Sequence, residues 1–198
     1  MSDPFPDDPE LVPLTRTQVL VAMGVTAIVL LLISKLWIQL GSVALMSVHF
    51  SWNAVGVGTG LGLGITLASY LLYISWIAYR RSADYYLEMV LRPLVWPDLI
   101  WLGLLPGLSE ELLFRGVMLP AFGFDTAAVL FSSLCFGVLH LSSFKQWPYV
   151  IWATIVGVML GLSALFTSNL FVPMVAHIVT NFVSSCAWKW GMSMKSKS

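Results

Sequence analysis

Charge is what this chain most conspicuously lacks. Only 10% of its 198 residues are Asp, Glu, Lys or Arg, where a soluble domain carries about a quarter. Ten acidic residues cancel ten basic ones and no basic tract exists, which excludes nucleic-acid binding. Cysteine is nearly absent: Cys135 and Cys186 both lie inside apolar runs, which excludes a disulfide framework. A positively charged leader is missing too. Residues 1–13 are acidic and Pro-rich, the reverse of a secretory signal. They are expected to form a short mobile tail, with the first apolar run retained in the mature protein.

What the chain has instead is apolar length: 58% hydrophobic residues and a mean hydropathy of +0.85. A hydrocarbon core of about 30 Å needs roughly 20 apolar residues per helix. Six stretches approach that length, at about 18–40, 54–78, 98–119, 125–143, 148–167 and 170–189. The expected fold is all-α, a polytopic membrane helical bundle of about six transmembrane helices. Its organisation reads as a tail (1–16), one transmembrane domain (17–190) and a basic C-terminal tail (191–198).

Charge asymmetry sets the orientation. With the N-terminus cytoplasmic, Arg16, Arg80, Arg81, Arg92, Lys145, Lys189, Lys195 and Lys197 all fall inside. The outer connections at about 41–53, 120–124 and 168–169 contain no Lys or Arg. Both termini are therefore placed in the cytoplasm. Between the second and third spans, Ala83–Leu91 sets Tyr86, Leu87, Val90 and Leu91 opposite Asp84 and Glu88, as a short interfacial helix would. The alternate glycines Gly56 to Gly64 suit close helix contact in lipid. Seven of the nine tryptophans sit near span ends and read as an interfacial belt.

The informative residues are polar groups where lipid should be. Glu110, Glu111 and Arg115 lie inside the third span, and each charge at bilayer depth costs at least about 2.5 kcal/mol. Glu111 and Arg115, at i, i+4 with the acid first, are expected to pair. Glu110 points about 100° away and keeps no local partner. Pro106 and Gly107 are expected to interrupt the helix, with Ser109 as N-cap and Glu110 in the first turn that follows. His140 in the fourth span, and His177 with Asn181 in the sixth, can reach the same cavity. His49, in an outer connection, has no such company.

A glutamate with a histidine can hold and deprotonate a water, while a second histidine and an amide donate to a developing oxyanion. That set suits amide hydrolysis. Glu110, His140 and His177 could instead hold a divalent metal such as zinc, and haem between the two histidines is a third option. Ser109 and Cys135 are better read as packing or capping residues than as nucleophiles.

At these residues the chain resembles a known family. Glu110-Glu111-x-x-x-Arg115, Phe136-x-x-x-His140 and His177-x-x-x-Asn181 look like the three ordered motifs of the CPBP intramembrane proteases. These are the CAAX-prenyl-protease and bacteriocin-processing family, also called Abi. The likeness covers roughly residues 95–190. It implies that Glu110 and His140 activate the attacking water, that His177 and Asn181 form the oxyanion side, and that Glu111, Arg115 and Phe136 support the site. It further implies a membrane-associated or lipidated protein substrate and hydrolysis without a cofactor. The passage Arg92–Pro120 is similar to the cyanobacterial and chloroplast branch, which points to either a plasma or a thylakoid membrane. A non-proteolytic membrane chaperone or assembly factor on the same fold is the alternative function.

Overall fold

The computed structural model describes residues 14–195; the expected acidic tail (1–13) and the last residues (196–198) lie outside them. Every regular element among the described residues is helical. Helix α1 spans Arg16–Gly41, α2 Trp52–Ser75, α3 Ile77–Leu91, α4 Asp98–Glu111 and α5 Leu119–Ala121. Between α4 and α5 the chain continues as π-helix over Leu112–Met118, so 98–121 is one unbroken helical rod. Then come α6 (Thr126–Val138), α7 (Trp147–Thr167) and α8 (Phe171–Lys195). Four helical segments, Arg16–Gly41, Trp52–Ser75, Phe144–Thr167 and Phe171–Met194, are long and apolar enough to cross a bilayer. With the 98–121 rod and the shorter apolar α6, they occupy the six stretches expected. The protein is an integral, multi-pass membrane protein.

Local chemistry sets the ends. Thr15 and Gln18 form a reciprocal capping box at the start of α1, which satisfies two backbone N–H groups that begin a helix without partners. Ser51 and Asp125 cap α2 and α6 through the amides of Ala54 and Ala128. At Trp76 the backbone turns extended, and α2 gives way to α3. This is the interfacial helix expected over 83–91, begun six residues earlier. Helix α6 ends sooner than expected: the chain turns at Leu139–His140, short of residue 143. Helix α8 runs past the expected boundary at 190 to Lys195.

Both described ends share one end of the bundle, as an even number of crossings requires. Arg16 at the start of α1 makes a two-point ion pair with Asp98, at 2.8 Å to each carboxylate oxygen. Lys189, late in α8, donates to the carbonyls of Leu91 and Leu94. At the opposite end, the 42–51 connection folds back into the bundle. Met46 is buried among Leu119, Val129, Ala164 and Leu170, and its N–H donates to the Gly116 carbonyl at 2.9 Å. Asn169 holds both backbone groups of His49.

In lipid, helices associate through close packing, because lipid tails are as apolar as the side chains. The glycine run of α2 divides accordingly. Gly58 and Gly62 lie against α8, where an added Cβ would sit 2.7 Å from Val175 Cβ and 2.6 Å from the Ala176 carbonyl oxygen. Gly56, Gly60 and Gly64 have nothing within 4 Å of that position. Gly62→Ala is therefore expected to lower stability by about 1–3 kcal/mol through overpacking. Gly60→Ala should be neutral, or stabilising by up to about 1 kcal/mol through helix propensity. Thermal unfolding of the two variants in detergent checks the contrast; equal melting temperatures would remove this account of the α2–α8 seam.

Candidate active site

The two glutamates are placed by how closely α4 can approach α8. Gly103 and Gly107, four residues apart, face Ile178: an added Cβ at Gly107 would lie 2.5 Å from the Ile178 side chain. That contact brings the end of α4 beside His177. Helix α4 is not interrupted at Pro106, contrary to the sequence expectation. Pro106 lies in the helix interior, and Ser109 donates to the Leu105 carbonyl at 2.7 Å and caps nothing. Glu110 is accordingly thirteen residues into the helix, not in a first turn. The physical reason is that a helix broken here would leave up to four N–H and four C=O groups without partners in an apolar interior. One proline removes a single donor.

Glu111 and Arg115 are both fully buried and pair at 2.7 Å, as the spacing predicts. Arg115 also donates to the Gly157 carbonyl at 2.8 Å. Gly157 permits that contact, since a Cβ there would meet Ser133 at 3.0 Å and Phe136 at 3.2 Å. The guanidinium lies over the Phe136 ring, 4.6 Å from its centroid. The oxygen of Glu111 that binds Arg115 is also 2.7 Å from His177 Nδ1. The π-helical stretch buries every residue from Leu113 to Met118, and π-helical turns recur at functional sites.

The pairing leaves Glu111 Oε2 and Arg115 Nε without hydrogen-bond partners, and Glu110, which lines the cavity, does not pair with Arg115. Its Oε2 is buried without a hydrogen-bond partner, and His177 Nε2 stands 3.9 Å away. Buried polar groups are nearly always satisfied, so an orphaned carboxylate oxygen needs a functional or structural explanation. His140 comes from the turn after α6. Its Nδ1 is 2.9 Å from the Phe136 carbonyl; a carbonyl can only accept, so Nδ1 is the donor, and in the neutral form of the ring Nε2 carries the lone pair. The Phe136 ring lies 4.8 Å from His140 and 5.8 Å from His177, between the two imidazoles.

Glu110, His140, His177, Asn181 and Phe136 all line one cavity of about 2050 Å³. Glu111 and Arg115 stand behind it. His49 is at the opposite loop, held by its backbone. Tyr149 and Gly157 were not singled out from sequence, and Tyr86 and Gly107 were read there only as an interfacial-helix residue and a helix break. The spacing Gly103-x-x-x-Gly107 is the signal that could have marked the α4 contact; nothing local marks Gly157 or the tyrosines. Among the described residues, no three His, Cys, Asp or Glu side chains converge on a point that could hold a metal ion.

Residues 92–183 match the profile of a family described as Type II CAAX prenyl endopeptidase Rce1-like. That segment, just under half of the chain, is similar to the Rce1-like family. The match contains all three motifs and every residue named above for the site except Tyr86. A relative from Bacillus subtilis (strain 168), "Uncharacterized protein YpbD", is 41% identical over 90 residues. That alignment covers 46% of this chain and 45% of the relative, so the chain spans less than half the length of the curated protein it matches. No solved structure matches the chain. The matched region thus carries Glu110, His140, His177 and Asn181 around one cavity, with Glu111 behind it.

Proposed function

We propose that this protein is an intramembrane endopeptidase that hydrolyses a peptide bond in a membrane-associated or lipid-modified protein, using water activated by glutamate and histidine. The observation that carries this is the buried, unpartnered oxygen of Glu110 in a cavity shared with His140, His177 and Asn181. Glu110 accepts the proton of a water held between it and Nε2 of His140 as the water attacks the carbonyl carbon. The carbonyl oxygen, gaining negative charge, is met by the Asn181 amide and by Nε2 of His177 when that ring is doubly protonated. Glu111 fixes the His177 ring through Nδ1, and Arg115 compensates the Glu111 charge. Glu110 then returns its proton to the leaving amine. Every step uses side chains of this chain alone, and the reading is metal-free.

The test compares membrane-protein termini by mass spectrometry in deletion cells re-expressing wild type or Glu110→Gln at equal levels. New termini that arise with wild type alone are the expected result and also identify the substrate. Identical termini, with both versions rescuing the deletion phenotype, would overturn the proposal in favour of a binding or assembly role.

A further inference from the structure

His140 lies beyond the end of its helix. Leu139 closes α6, and the chain then runs through a turn and a short 3-10 stretch (Phe144–Gln146) into α7. The His140 N–H still donates to the Gly137 carbonyl at 3.0 Å, but the i−4 ladder of α6 has ended. The imidazole nevertheless has to keep Nδ1 on the Phe136 carbonyl. Histidine free in water prefers the other tautomer, with the proton on Nε2, so keeping Nδ1 on the Phe136 carbonyl depends on how the backbone at 140 is held.

That support comes from α3. The Tyr86 phenol donates to the backbone carbonyl of His140 at 2.9 Å, across 54 residues of sequence. One helical turn earlier on the same face, Ser82 donates to the Gln146 carbonyl at 3.3 Å. Two side chains at i, i+4 thus hold both ends of the 140–146 connection. The phenol is itself fixed: its ring stacks on Tyr149 of α7, with centroids 4.5 Å apart and planes at 12°. Tyr149 in turn stacks on Tyr79 and lies 6.2 Å from the His140 ring. Burial pushes the Tyr86 phenol up from its ordinary range, so it keeps its proton and remains a donor.

We propose that Tyr86 is a positioning residue for His140: its phenol clamps the His140 carbonyl and thereby holds the imidazole in the Nδ1–H form, with Nε2 free for the reacting water. This deepens the peptidase reading and rests on it. It also places a component of the site outside residues 92–183, in the half of the chain that the family match does not reach.

The experiment uses the full chain in lipid nanodiscs with ¹⁵N-labelled histidine. Only three histidines exist, so three imidazole signals are assigned from single His→Gln variants. In wild type, His140 should show a protonated Nδ1 and an unprotonated Nε2. In Tyr86→Phe, which keeps the ring stack, His140 should shift towards the Nε2–H form while His177 stays unchanged. A wild-type His140 protonated on Nε2 would overturn the clamp by itself, whether or not the variant folds. So would a His140 spectrum identical in wild type and Tyr86→Phe. On the substrate identified from new termini, Tyr86→Phe should lower kcat about five- to tenfold with KM unchanged, the scale of one lost hydrogen bond. A changed KM with kcat intact would also count against the clamp. Failure of the peptidase reading would show separately, as no cleavage by wild type with the imidazole result intact.

Discussion

Glu110→Gln is expected to cut peptide-bond cleavage by about 10²–10⁴-fold, the usual contribution of a positioned proton-transfer group. The folded protein should remain at wild-type levels in the membrane. The two halves of this expectation have one cause. Gln matches Glu in shape but cannot accept the proton of the attacking water. The carboxylate oxygen it replaces makes no hydrogen bond inside the protein, so the fold loses no partner with it. His140→Ala should abolish cleavage likewise, since the Nε2 lone pair disappears, at the modest structural cost of the bond to the Phe136 carbonyl. Cleavage of the identified substrate by purified variants, alongside their melting temperatures, is the measurement. Full activity in either variant would sink the mechanism. A Glu110→Gln protein that fails to fold would show that this carboxylate is structural.

The neighbouring carboxylate should behave in the opposite way. Arg115→Met is expected to destabilise the protein by about 3–5 kcal/mol, because it strands the Glu111 charge in a fully buried position. The cost is large for three reasons that meet at one residue. Arg115 pairs with Glu111, satisfies the Gly157 carbonyl and covers the Phe136 face. Removing both charges, as Glu111→Gln with Arg115→Met, should recover part of that loss, since a buried ion pair is worth less than the penalty of breaking it. The double variant should still be poorly active, because His177 Nδ1 then faces an uncharged amide. Detergent melting curves of the single and double variants provide the check. An Arg115→Met protein as stable as wild type would mean that this pair carries no structural weight.

Much of this architecture was legible because a membrane forces its own pattern on a sequence. Backbone groups in lipid have to be satisfied within each segment, so long apolar runs could be read directly as helices. Lys and Arg counts then separated the two ends. Membrane burial also makes a charge expensive, which is why Glu110, Glu111, Arg115, His140 and His177 stood out without any coordinates. The pairing of Glu111 with Arg115 followed from helical spacing alone.

Errors arose where a local rule competed with tertiary packing. Pro106 and Gly107 carry the local signature of a helix break. Yet Gly107 is required by its contact with Ile178, and an apolar interior penalises the frayed ends that a break would create. Ser109 resembles a cap, but inside a continuous helix its hydroxyl turns back to the Leu105 carbonyl. The Gly56–Gly64 run is a single feature in sequence and two faces in space, of which one packs on α8.

By itself, the sequence determined that this is a helical, multi-pass membrane protein with Glu110, Glu111, Arg115, His140, His177 and Asn181 in an order that resembles the CPBP motifs. Periodicity and the cost of buried charge are one-dimensional signals, and a single chain displays them. Only the tertiary structure decided which partner each group takes. It assigned His177 to Glu111 at 2.7 Å and left one oxygen of Glu110 unpartnered. It also brought Tyr86 from 54 residues away to the carbonyl of His140. Those choices depend on how closely helices approach and where each one ends. They are set by glycines and turns acting at a distance, which no local spacing records.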